Sequence, residues 1–202
     1  MKSLEQYWNE TYQRLEATPT YDNWLDKYWE PYLSAYSSET LIVDLGCGVG
    51  NNTQYLFEHG LSPIACDISE EALMKLQSFL PDIRTRCLDM TTGLPFNKGT
   101  VQVLIADLSI HYFDEDTTHR IIRDLHSVLK QDGLLLVRLN STSEIVNIRE
   151  GDELYRRFFD RGEIEHFFDG DMWSYVHIAE YEMDRYTNKK MLWEIALTPR
   201  PE

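Results

Sequence analysis

Short unbroken apolar runs alternate along this chain with longer segments whose apolar residues recur every three or four positions. The run "TLIVDLG" (Thr40 to Gly46) has the look of a strand buried on both faces. "NNTQYLFEHG" then reads as a helix stopped by Gly60, and "SPIACDIS" as a second short strand. "SEEALMKLQSFLP" opens with Ser69 as N-cap and acids in its first turn, and must end before Pro81. "DIRTRCLDM" and the more apolar "VQVLIADLSI" give a third and a fourth strand. "DEDTTHRIIRDLHSVLKQDG" carries a helical stripe at Ile121, Ile122, Leu125, Val128 and Leu129 and is read as closing at Gly133, with "LLLVRLN" as the fifth strand. Strands alternating with helices predict a doubly wound α/β fold, a mostly parallel sheet with helices on both faces.

The tail breaks the alternation. "RGEIEHFF" reads as one more helix, and "WSYVHIAEYEMDRYTNKKMLWEIAL" as two long strands joined around Thr187 to Lys190. A tight connection joins only antiparallel neighbours, so the sheet is expected to end in an antiparallel C-terminal hairpin. No repeat, low-complexity tract or linker composition interrupts the chain. It is read as a single domain over 1–202, with an aromatic helical segment at 1–38, a cofactor-binding core at 39–140, and a C-terminal helix and β-hairpin at 141–202.

Composition narrows the function. The 202 residues are 43% hydrophobic and 26% charged, as in an ordinary globular protein with a substantial core. No apolar run approaches a membrane span, and "MKSLEQYWNE" lacks the apolar core of a signal peptide, so a cytoplasmic location without membrane association is expected. The net charge of −15, from 34 acidic against 19 basic residues, repels a phosphate backbone and makes nucleic acid an unfavourable partner. Cys47, Cys66 and Cys87 show no metal spacing and read as small buried hydrophobes. Nothing in the sequence sets the oligomeric state.

The chemistry gathers around "VDLGCGVGNNT", Val43 to Thr53. Glycines at 46, 48 and 50 sit directly behind the first strand, where an open parallel sheet binds its ligands. The nicotinamide fingerprint G-x-G-x-x-G would need its third glycine at position 51, which is Asn51. Asp44 adds an acid within reach of an ammonium group rather than a pyrophosphate. Asp67, 21 residues after Gly46, ends the second strand and can accept hydrogen bonds from ribose hydroxyls, which suits either adenosine cofactor. Asp89 can accept from an adenine amino group with Met90 packing on the ring, and Asp107 ends the fourth strand, on the side of the cofactor's reactive end. A nicotinamide-dependent oxidoreductase and an S-adenosylmethionine enzyme both remain open on these residues.

Taken in order, "VDLGCGVGNNT", "ACDIS", "CLDM", "ADLSIHYF" and "LKQDGLLLVRLNS" resemble the successive motifs of class I S-adenosylmethionine-dependent methyltransferases of the small-molecule type. The resemblance covers about Leu41 to Asn140 and implies a seven-stranded sheet with one antiparallel strand. It also implies that Gly46, Gly48 and Gly50 flank the methionine portion of S-adenosylmethionine, Asp67 holds its ribose, and Asp89 and Met90 its adenine. With Tyr12, Asp44, Cys47, Asn51, Ile68, Asp107 and Leu108 these form the expected cofactor contacts.

Methyl transfer from a sulfonium is an in-line displacement, so positioning does most of the work and no obligatory triad is needed. His111 in "LSIHYF" is the candidate general base, or else it shapes its loop. Tyr112 either lines the same pocket or caps the core. Arg138 and Asn140, at the end of the fifth strand, are candidate acceptor contacts, although Arg138 could equally salt-bridge to a neighbouring acid. Asp107 and Asp114 do not make a persuasive oxygen cluster, so no metal is expected. Residues 1–38 hold nine of the seventeen Trp and Tyr residues. They are read as a lid in which Tyr7, Trp8 and Tyr12 contact the pocket, about half of the segment simply packing. The expected function is methyl transfer to a small-molecule acceptor. The alternatives are a nicotinamide-dependent oxidoreductase, a silent S-adenosylmethionine-binding protein, or a methyltransferase acting on protein.

Overall fold

The computed structural model describes residues 2–15, 23–143, 154–185 and 188–200. Residues 16–22 of the expected lid and Thr187 of the expected hairpin connection lie outside them. Seven strands make a mixed sheet in the order β3-β2-β1-β4-β5-β7-β6. The chain divides into two compact units, Met1–Asp89 and Met90–Glu202.

In the first unit, helix α1 (Leu4–Arg14) precedes a 3-10 turn (Asn23–Leu25), the single-turn α2 (Asp26–Trp29) and a second 3-10 turn (Leu33–Ala35). Strand β1 (Ile42–Leu45), α3 (Asn51–Glu58), β2 (Ile64–Asp67), α4 (Glu70–Phe79) and β3 (Arg84–Cys87) follow. β2 pairs in parallel with both β1 and β3. β1 is buried throughout, as its unbroken apolar run requires. β3 is largely exposed, and its Arg84 and Arg86 put charge on an edge strand, which discourages pairing with another chain. Helix α4 begins as expected, the Ser69 hydroxyl accepting from the Ala72 N–H, and its Leu73 and Leu76 join Cys47, Ala65 and Ile83 in the core. Trp24 and Tyr28 are core residues too. The Trp24 indole donates to Asn52 Oδ1 at 2.8 Å and the Tyr55 hydroxyl to Asp26 at 2.7 Å, so these aromatics anchor the segment to α3.

The second unit holds β4 (Val101–Asp107), a 3-10 turn (Ile110–Tyr112), α5 (Glu115–Val128), β5 (Leu129–Asn140), α6 (Arg161–Phe167), β6 (Trp173–Arg185) and β7 (Asn188–Pro199). β4 and β5 are parallel, and β7 runs antiparallel to β5 on one side and to β6 on the other. The expected hairpin is present, and its second strand is the one reversed strand of the sheet. One boundary differs from the sequence reading. "LKQDG" does not continue α5 to Gly133, because the chain turns extended at Leu129 and enters β5 there. The pairing jumps from Val101 with Leu129 to Val103 with Leu134, so the intervening residues bulge out of the ladder. A Cβ on Gly133 would lie 2.9 Å from the Lys130 carbonyl oxygen, so this glycine serves the bulge and does not cap a helix.

Candidate functional site

The loop between β1 and α3 is built from glycines in left-handed backbone. Gly46, Gly48 and Gly50 have φ of 74°, 55° and 93°, which side-chain-bearing residues adopt at a cost. Space is also short. A Cβ on Gly48 would stand 2.6 Å from the Tyr12 hydroxyl oxygen, and one on Gly50 only 2.3 Å from Leu76 Cδ1. The glycines therefore let Tyr12 of α1 and Leu76 of α4 close on the backbone.

Four of the loop's N–H groups are spent inside the protein. Those of Gly46 and Cys47 both donate to the Cys66 carbonyl (2.8 and 2.9 Å), that of Gly50 to the Cys47 carbonyl (2.9 Å), and that of Gly48 to Asp67 Oδ2 (2.8 Å). A pyrophosphate held in the nicotinamide manner needs such donors turned outward. Beside these spent donors the loop region carries acceptors. Asp67, only 7% exposed, takes the Ser69 N–H on its other oxygen at 2.9 Å. Burial raises its pKa, while the N–H groups of Ser69, Gly48 and Ile68 pull the other way. A carboxylate has about four acceptor positions, so three backbone donors leave room for a further one. Asp44 is fully buried and accepts from the Thr53 hydroxyl at 2.6 Å. Asn51, where the third fingerprint glycine would stand, keeps its buried side-chain carbonyl oxygen without a hydrogen-bond partner among the described residues.

Helix α1 is pinned beside this loop, although none of its residues is fully buried. Asn9 Oδ1 accepts from the Ser69 hydroxyl (2.7 Å) and the Glu71 N–H (3.3 Å), Gln13 donates to Glu71 (2.9 Å), and Lys75 reaches the Leu15 carbonyl. Trp8 stacks on Tyr12 with ring centroids 5.5 Å apart, and Tyr7 meets Trp8 edge-on at 5.3 Å. The structure thus brings Tyr12, Asp44, Gly46, Cys47, Gly48, Gly50, Asn51 and Asp67 together in one unit, with Ile68 and Asp89 half-buried at the ends of β2 and β3. Cys47 and Cys66 are buried, and burial pushes the Cys47 thiol well up and that of Cys66 up to about 12, so both stay protonated and behave as small hydrophobes. Cys87 departs from that expectation and is exposed on the edge strand.

In the second unit, Met90 is buried and opens a 3-10 turn. Asp107 and Arg138 form a two-pronged ion pair, Nε to Oδ1 and Nη2 to Oδ2, both 2.7 Å. Arg138 also donates to the Tyr181 hydroxyl at 3.2 Å. Of the two roles open to Arg138, the salt bridge to a neighbouring acid is therefore the one formed. Leu108 follows with φ 52°, an uncommon conformation for a leucine, and its N–H donates to the Arg138 carbonyl at 3.0 Å. His111 is 1% exposed, its ring 4.2 Å from that of Tyr112, and its carbonyl accepts from the Arg157 N–H at 2.8 Å. Asn140 is buried and its side-chain oxygen has no partner among the described residues. Thr53, Asn9, Tyr181 and Arg157 went unread in the sequence. Each is an ordinary polar residue whose partner lies far away in sequence or on a separate element.

Known proteins share both this fold and part of this sequence. A structure from Clostridium acetobutylicum, a S-adenosylmethionine-dependent methyltransferase, shares the fold with a TM-score of 0.70 at 18% identity, over 97% of this chain and 99% of that one. Residues 42–133 match the methyltransferase domain family model. The fold is that of class I methyltransferases, and a little under half of the chain, residues 42–133, is similar in sequence to the methyltransferase domain. The cofactor of such domains is S-adenosylmethionine, and the acceptor oxygens of Asp67 and Asn51 suit its hydroxyl and ammonium donors better than they suit a phosphate. A methyltransferase of Synechocystis is 30% identical over 110 residues, 54% of this chain and 51% of that protein. A tRNA N(3)-methylcytidine methyltransferase of Drosophila melanogaster is 27% identical over 143 residues, 64% of this chain and 44% of that protein. The chain spans about half or less of the length of these two curated relatives. With a tRNA enzyme among them, charge alone no longer sets nucleic acid aside. Among the described residues, no helix is long and apolar enough to cross a membrane.

Proposed function

We propose that the protein is an S-adenosylmethionine-dependent methyltransferase acting on a small-molecule acceptor. The observation that supports the cofactor is the glycine loop, in which the N–H groups of Gly46, Cys47, Gly48 and Gly50 are turned inward onto Asp67 and the Cys66 and Cys47 carbonyls. In this reading Asp67 and Ile68 hold the ribose, Asp89 and Met90 the adenine, and Asp44, Asn51 and the glycine loop the amino-acid end. When bound, the sulfonium supplies an already activated methyl group. The chain orients the acceptor, excludes water and, where the acceptor carries a proton, removes it. His111 is assigned that base role, Tyr112 and Asn140 of the second unit and Tyr7 and Trp8 of the first are assigned acceptor contacts, and the Asp107–Arg138 pair ties the end of β4 to β5.

The net charge of −15 supports a small acceptor over a polyanion. The test has two stages. Calorimetry against S-adenosylmethionine, S-adenosylhomocysteine and NAD is expected to show binding of the sulfonium pair, and tight NAD binding with none to that pair would overturn the cofactor reading. A screen of metabolites and of purified tRNA, read by methyl transfer, then names the acceptor. Turnover on tRNA alone would refute the small-molecule assignment and leave the cofactor standing.

A further inference from the structure

Among the described residues, Glu115, His119 and His166 bring one ligand atom each to within 4.8 Å of the others. Glu115 and His119 are one turn apart on α5 and so share a helix face, while His166 lies 47 residues beyond His119 on α6. The two imidazole Nε2 atoms stand 3.2 Å apart, and His166 Nε2 is 3.7 Å from Glu115 Oε1. Ligands on a tetrahedral zinc ion, at ~2.0–2.2 Å from the metal, are about 3.3 Å from one another. The spacing already found is close to that edge length, so an ion could enter with small side-chain adjustments.

The surroundings orient these groups. Arg157 Nη2 sits 3.7 Å from the other carboxylate oxygen of Glu115 and 3.1 Å from Glu163, which leaves Oε1 as the oxygen turned to His166. The ring of Phe167, itself buried, lies 4.5 Å from the His119 ring and 5.4 Å from that of His166, giving both an apolar backing. A capping box between Asp160 and Glu163 fixes the start of α6. Glu115 and His166 remain 60% exposed, so an ion from solution can reach the group without first burying a charge.

We propose that Glu115, His119 and His166 form a site for a borderline-soft divalent transition ion of the zinc type, with solvent completing the coordination. Two imidazoles select such an ion over magnesium or calcium, which take oxygen ligands. The ion clamps α5 to α6. Arg157, whose side chain orients Glu115, also donates its backbone N–H to the His111 carbonyl, so the clamp adjoins the segment that carries His111. The sequence reading expected no metal after weighing only Asp107 and Asp114; the present ligands lie on two separate elements and show no spacing motif.

The experiment uses the tag-free full chain stripped of metal with a chelator. Zinc is titrated in competition with a chromophoric indicator, and cobalt is added separately as a spectroscopic probe. The expected result is one zinc per chain, visible cobalt bands of tetrahedral intensity, and no displacement by millimolar magnesium. H119A and H166A should each weaken zinc binding by roughly 10-fold or more, with R157Q giving a smaller loss through the orientation of Glu115. H59A, which alters a histidine outside the group, should bind as the parent does. E115Q serves as a further variant, and circular dichroism confirms that each is folded. Absence of stoichiometric binding, or equal affinity in the parent, H119A and H166A, would overturn the proposal.

Discussion

Asp67→Asn is the substitution on which the account of the loop depends most. It changes one oxygen to an NH2 at nearly constant volume, in a group whose two oxygens accept from Gly48 at 2.8 Å and from Ser69 at 2.9 Å. An amide can accept on only one side, so one of these backbone N–H groups must then face a donor. A buried donor left without an acceptor costs ~1–3 kcal/mol, and the same change relieves the burial of a carboxylate, which lowers the net loss. We expect a loss of about 1–2 kcal/mol in urea unfolding at neutral pH.

The pH dependence supplies an independent sign. Burial raises the Asp67 pKa in the fold, so the native state favours its protonated form. The stability this contributes is fully present below the ordinary value of 3.8 and is lost as pH rises through the raised folded value. The stability gap between parent and Asp67→Asn should therefore be widest in acid and narrow toward neutrality. In calorimetry S-adenosylmethionine should bind at least ~10-fold more weakly, equivalent to ~1.4 kcal/mol, because the Gly48 backbone loses its tether and one acceptor is gone. Unchanged unfolding midpoint together with unchanged cofactor affinity would refute the idea that this carboxylate orders the loop.

Gly50→Ala should cost ~2–4 kcal/mol in urea unfolding, since φ is 93° and the new methyl would meet Leu76 Cδ1 at 2.3 Å. Arg138→Met strips the half-buried Asp107 of its two 2.7 Å bonds and should destabilise by ~2–4 kcal/mol in the same assay, a little below the fully buried case. His111→Gln should lower kcat by ~100-fold or more once an acceptor is known, with cofactor affinity in calorimetry unchanged; an intact kcat would remove His111 from the base role. Deleting residues 2–15 removes Asn9 and Gln13 from α4 and Tyr12 from Gly48, and should weaken cofactor binding in a protein that still folds by circular dichroism.

The parts legible in the sequence were those in which local pattern and tertiary demand agree. The apolar runs of β1 and β4 had to be buried on both faces, and Ser69 had one plausible task, capping α4. The reversed strand followed from a connection too short for a parallel crossover. The misread residues mark where tertiary structure overrides the local signal. Gly133 sits where a helix stop would, yet a sheet bulge claims it, and Lys130 to Gly133 go with β5. Arg138 offered two equally good stories until the position of Asp107 on the neighbouring parallel strand, opposite it in register, selected one.

The glycine loop shows what the structure adds to a pattern that already departs from the nicotinamide fingerprint at Asn51. Sites for the two adenosine cofactors both put glycines behind the first strand, and both tolerate an acid at the end of the second. What differs is where the loop's N–H groups point, and that depends on Asp67 and Cys66, which reach the loop only when β2 pairs with β1. Once Asp67 holds the Gly48 N–H and the Cys66 carbonyl holds those of Gly46 and Cys47, these three donors are no longer open to an anion, and oxygen acceptors stand beside them. The same contacts explain the third glycine: with α4 carrying Leu76 against position 50, a side chain there would force loop and helix apart. Glycine at 48 and 50 is thus favoured by positive φ and by the packing of α1 and α4 before any ligand arrives, and on the proposed function the acceptors that remain would meet the hydroxyl and ammonium donors of the cofactor.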